Sequence, residues 1–184
     1  MGLQPLHIKS QLNIDKCSMD KESKELVELL QKAEVESAFK HANSMKDRIK
    51  AAEILSDFAV SLIKHLYDHD TAEQLLKKSV ALNPKYAEAF FNLGVLYTEP
   101  ALLVRNEKRV YEAEKAYKQA IRIRPEYAEA HYNLALLYHF QDRGEEAEIE
   151  YAVFADIYCD RDVVEGLRKI LKKRIKKIDV SNIV

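Results

Sequence analysis

Tryptophan is absent from these 184 residues, and cysteine, glycine and proline are scarce at two, four and four. Cys17 and Cys159 have no metal-ligand spacing and are too few for a disulfide framework, which fits a reduced setting. So little glycine and proline leaves almost no turn or sheet chemistry. No apolar run approaches the roughly 18–20 residues that span a bilayer. The opening residues lack the apolar core of a signal peptide, and Leu6 stands where a myristoylation motif wants Ser or Thr. The expectation is a soluble, cytoplasmic protein.

Charge of one sign is also missing. A net charge of -1 and a pI near 6.6 give no whole-molecule attraction to nucleic acid or anionic lipid. Catalytic chemistry is equally thin. There is no Gly-rich phosphate loop, Cys159 has no evident base, and His65 and His69 lack the intervening Glu of zinc hydrolases. The reading is a protein that is not an enzyme and needs no cofactor or metal.

What is present is helical. Hydrophobic residues make up 47% and charged residues 32% of a chain one domain long. One stretch is written twice: PKYAEAFFNLGVLY at 84–97 and PEYAEAHYNLALLY at 125–138. Nine positions agree: Pro84/Pro125, Tyr86/Tyr127, Ala87/Ala128, Glu88/Glu129, Ala89/Ala130, Asn92/Asn133, Leu93/Leu134, Leu96/Leu137 and Tyr97/Tyr138. Repetition at this period marks a solenoid, whose business is usually to hold something.

Along the chain, residues 1–19 read as a flexible arm. Asp20 caps a first helix over 21–41, on the stripe Leu26, Leu29/Leu30, Ala33 and Phe39. Ser44-x-x-Asp47 resembles a capping box for a second helix over 45–67. Further helices are expected at 71–82, 85–97, 107–123, 126–139, 145–158 and 160–178, with a tail at 179–184. Pro84, Pro100 and Pro125 stop three of them or the segments before them. Short turns make neighbours antiparallel.

Ala72-Glu73, Ala113-Glu114 and Ala147-Glu148 each open a helix, and Pro84 and Pro125 follow the first two alanines by twelve residues. With Phe90, Leu93, Gly94, Tyr97, Ala113, Tyr117, Ala120 and Pro125, this resembles the tetratricopeptide repeat, a 34-residue helix–turn–helix unit. A third copy runs through His131, Leu134, Ala135, Tyr138, Ala147, Tyr151 and Phe154, and a degenerate first copy keeps Ala72, Leu76, Ser79 and Pro84. The resemblance implies an all-α, right-handed α-solenoid within one domain at 20–178. Its repeats are 53–86, 87–127 with a seven-residue insertion, and 128–158, with an extra N-terminal helix and a capping helix at 160–178. The third copy departs from the pattern with Phe154 in place of a small residue and Cys159 in place of proline.

The resemblance also implies a non-catalytic protein–protein interaction module that holds a peptide or helix in a concave groove. Glu88, Phe91, Asn92 and Val95, matched by Glu129, Tyr132, Asn133 and Leu136, fall on that face. An Asn amide donates and accepts at once, so Asn92 and Asn133 suit a peptide backbone. The same apolar stripe would also serve as core beneath adjacent helices. The family's pocket for acidic chaperone tails maps to Asp57, Ser61, Asn92, Glu129 and Asn133; only Asn92 fits, and Asp57 and Glu129 would repel an anion. The partner is expected to be another protein or peptide.

The insertion around 98–106 sets Ala101, Leu102, Leu103 and Val104 side by side, to be covered by the N-terminal helix, the arm or a partner. Self-association through that patch or an end is open. The last helix carries Leu167, Ile170/Leu171, Ile175 and Ile178 opposite Arg168, Lys169, Lys172, Lys173, Arg174, Lys176 and Lys177. A polar outer face is what a terminal solenoid helix needs. The alternative is an adaptor touching anionic membrane or nucleic acid through this basic surface.

Overall fold

A computed structural model describes residues 18–66, 68–99 and 106–158 of the chain. Eight helices and no strand stand among them: α1 Lys21–Gln31, α2 Val35–Ser44, α3 Arg48–Leu66, α4 His69–Leu82, α5 Ala87–Tyr97, α6 Glu107–Ile123, α7 Ala128–Phe140 and α8 Gly144–Tyr158. None of these is long and apolar enough to cross a membrane.

Each helix packs chiefly on its neighbours in the chain, and the pairs α3/α4, α5/α6 and α7/α8 stack in order. This nearest-neighbour pattern is that of a solenoid. Alanines allow the close approach: Ala72, Ala89, Ala113, Ala120 and Ala130 are fully buried, with Leu55, Leu75, Leu76, Leu96, Tyr117 and Leu134 filling the space between them. A buried hydroxyl is satisfied within the first helix pair. Ser79 Oγ donates to the Ala52 carbonyl at 2.7 Å, so α4 is tied to α3 where the repeat pattern calls for a small residue.

Two expectations at the N-terminus need correction. The single helix over 21–41 is two, α1 and α2, broken by Ala33 in the left-handed region at φ 59°. The Glu34 amide then bonds back to the Leu29 carbonyl, which lets the chain reverse. The apolar stripe runs unbroken through this bend, because α1 and α2 share one core with α3. The capping box is also otherwise. Ser44 Oγ donates to the His41 carbonyl and closes α2, while Asp47 alone accepts from the Lys50 amide and starts α3. Asp20 does cap α1, accepting from both the amide and the hydroxyl of Ser23. α6 begins and ends at the expected 107 and 123.

Residues 1–17 of the N-terminal arm, most of the insertion (100–105), the expected capping helix at 160–178 with its basic surface at 168–177, and the tail at 179–184 lie outside the described residues, while Met19 at the end of the arm packs on the core.

Candidate functional site

α3 packs directly against α5, but α5 and α7 touch each other little. Tyr117 of α6 fills the space between them from behind, fully buried. Its ring carries Phe91 at a centroid distance of 6.0 Å, and its hydroxyl bonds Thr98 Oγ1 at 2.9 Å and the Asn133 side chain. Burial pushes that hydroxyl up to about 12, so it stays protonated at neutral pH. In front of it a cavity of about 360 Å³ opens, with Tyr117 and Asn133 at its base and Val95, Thr98, Leu136 and Phe140 around it. Apolar walls over a small polar floor are the usual make-up of a binding cleft.

The eight groove residues divide between structure and surface. Glu88 is ion-paired with Arg124, whose guanidinium also lies over the Tyr127 ring at 4.7 Å. Phe91 is half-buried between Tyr117 and Tyr127. Asn92 is half-buried and donates to Ser56 Oγ on α3 at 3.1 Å. Val95 is half-buried, packed on the core. Glu129 is exposed. Tyr132 is 40% exposed, with Tyr151 and Phe154 beside it at 5.9 and 5.2 Å. Asn133 is half-buried against Tyr117, and Leu136 is 42% exposed. The α7 half is thus open where the α5 half is largely closed.

Two residues escaped the sequence reading. Phe140, 67% exposed, extends the apolar wall by one turn beyond Leu136, four residues on. That spacing was legible. Thr98 is the other, because its bond to Tyr117 depends on a partner nineteen residues away on another helix. A larger cavity of about 860 Å³ lies at the start of α6 and the end of α7, beside Val110 and Tyr111, away from the paired asparagines. Among the described residues no group of three His, Cys, Asp or Glu side chains is placed to hold a metal ion.

A family model for the TPR repeat matches residues 108–142, from the start of α6 to the turn before α8. A tetratricopeptide repeat therefore stands within this chain. Solved structures share the architecture of this repeat protein. A MamA structure superposes with a TM-score of 0.55 at 20% identity, covering 86% of this chain and 91% of MamA. The human IFIT1 dimer with PPP-AAAA gives 0.54 at 20%, covering 85% of this chain and 36% of IFIT1. An IFIT1 monomeric mutant with Gppp-AAAA gives 0.55 at 18%, covering 89% and 38%. At these identities the likeness is one of fold. No curated protein matches the chain. Tetratricopeptide repeats serve in general as protein–protein interaction scaffolds, presenting an extended concave surface.

Proposed function

We propose that this tetratricopeptide-repeat protein is a non-catalytic scaffold that holds an extended peptide or a partner helix against α5 and α7. The observation that carries the reading is the open cleft walled by Val95, Leu136 and Phe140 over the Tyr117–Asn133 floor. An apolar side chain of the partner enters the cleft. Asn92 spends one N–H on Ser56, and each amide offers several bonds, so both asparagines retain capacity for a peptide main chain. Among the described residues, Glu99 is the one charged side chain that lines the cleft, which disfavours an acidic tail as the ligand.

The test is site-specific photo-crosslinking in host extract. A benzophenone side chain placed at Leu136 should trap the partner, and one at the exposed Lys115 of α6 should not. Trapping from 115 and not from 136 would contradict the reading.

A further inference from the structure

Hydrogen-bond direction fixes what the floor of the cleft can offer. Thr98 Oγ1 lies 3.0 Å from the carbonyls of both Gly94 and Val95. A carbonyl only accepts, so the threonine spends its one hydrogen there. At its 2.9 Å contact with Tyr117 the tyrosine hydroxyl is therefore the donor. With that proton spent, the Asn133 side chain bonded to the same oxygen has to donate, through Nδ2. Asn92, its counterpart in the repeated stretch, likewise gives Nδ2 to Ser56 Oγ. Each amide is oriented by that bond, and its Oδ1 keeps its full accepting capacity.

Charge around the cleft is of one sign. Glu99, half-buried, is the one charged side chain among the described residues that line it. The larger cavity shares Phe140 with the cleft, and the charged side chains lining it are Glu107 and Glu114. Glu114 is matched by Lys118 and Arg143 at 2.6 and 2.8 Å. Neither Glu99 nor Glu107 belongs to an ion pair among the described residues. The shared Phe140 is 67% exposed, and Leu136 in the cleft and Tyr111 in the larger cavity are 42% and 63% exposed. An aromatic face beside unmatched carboxylates suits Lys or Arg, whose stem covers apolar surface while its head meets ring and acid.

We propose that the segment held in the cleft is basic: an apolar side chain enters between α5 and α7, and Lys or Arg residues next to it cross Phe140 to reach Glu99 and Glu107. A main-chain N–H of the segment donates to Asn133 Oδ1. This rests on the cleft being the partner site and adds the partner's charge to it. An acidic or uncharged segment would leave both carboxylates unmatched beside apolar surface. The competing cation is the chain's own Arg105, in the stretch that joins the two acids.

Short fluorescein-labelled peptides test this, sharing the same leucine and phenylalanine positions and carrying Arg, Gln or Glu at the others. They are titrated against the full chain by anisotropy. The Arg set should bind about tenfold tighter than the Gln set, by a margin that shrinks as salt rises, with the Glu set weakest. Glu99→Gln combined with Glu107→Gln should bring the Arg set down to the Gln set. An Arg preference unchanged in that variant, equal binding of the Arg and Gln sets, or binding of no set overturns the proposal. A margin seen only in Arg105→Ala gives the acids to the chain's own arginine and overturns it too. Failure of the cleft itself reads differently. Leu136→Gln that weakens neither set contradicts the cleft, whereas equal Arg and Gln binding that Leu136→Gln weakens keeps the cleft and removes only its preference for a basic partner.

Discussion

Tyr117 lies so close to Gly94 that a Cβ added to the glycine would come within 2.8 Å of the ring atoms Cδ1, Cε1 and Cζ. The ring is fully buried and held at its hydroxyl by Thr98 and Asn133, so it has no room to retreat. Gly94→Ala in a free helix would gain about 1 kcal/mol from helix propensity. Here overpacking reverses the sign. The expected outcome is a loss of about 1–3 kcal/mol in urea unfolding, and more for Gly94→Leu. A stabilised Gly94→Ala variant would show that α5 and α6 do not approach as described.

His131 occupies the place that Phe90 holds in the preceding repeat, and the substitution is not neutral. The imidazole is nearly buried, with Nδ1 2.6 Å from Glu150 Oε2 and Nε2 2.9 Å from the Pro125 carbonyl. It links α7 both to α8 and to the turn before α7. His131→Phe would restore the aromatic of the repeat pattern yet remove the ring nitrogens that face Glu150 and the Pro125 carbonyl. A loss of about 1–3 kcal/mol is expected from thermal or urea unfolding. A gain would mean that the aromatic pattern outweighs the two bonds.

Two carboxylate staples between neighbouring repeats, Glu114 with Tyr138 and Arg143 and Glu73 with Tyr97 and Arg109, give a pH dependence of definite sign. Burial raises the Glu114 carboxyl, but hydrogen bonds from Arg143 and Lys118 outweigh it and hold the group below its usual 4.5. Burial likewise acts on Glu73, outweighed by Lys77, Tyr97 and Arg109. A carboxyl depressed in the folded state stabilises above its unfolded value and loses that contribution as pH falls through the folded one. The chain should therefore lose stability below about 4.5, and Glu114→Gln should be weaker at neutral pH with a flatter decline on acidification. Urea midpoints measured across that range decide it; parallel curves for the two proteins would contradict the staple.

Asn92 and Asn133 carry two roles. Each alanine substitution should cost about 0.5–1.5 kcal/mol through the lost bonds to Ser56 and Tyr117. The double variant should keep its helical circular dichroism and lose partner capture. Capture at unchanged affinity would remove the asparagines from the site while leaving the cleft itself in place.

Much of the stack was legible because repeats state their packing twice. The small residues Ala113 and Ala120, the aromatic Tyr117 and the stop at Pro125 placed α6 to the residue. The α1–α2 bend was hidden because Ala33 is neither glycine nor proline and the apolar period continues through it. The groove stripe left core and surface undecided, since exposure depends on how far α5 and α7 stand apart. The staples were half visible in the three Ala-Glu pairs. Their tyrosine and arginine partners come from other helices or from the turn before α8, 24 to 36 residues away, a distance that no local pattern spans.

The cleft between α5 and α7 is best tested with a peptide selected from a random library on the intact chain, titrated against variants by calorimetry. Leu136→Lys puts a charge on an exposed wall without touching any of the internal bonds described above. It should weaken the peptide at least tenfold, about 1.4 kcal/mol, while Lys115→Glu on the exposed side of α6 leaves affinity unchanged. Full affinity in Leu136→Lys, with loss in Lys115→Glu, would contradict the groove.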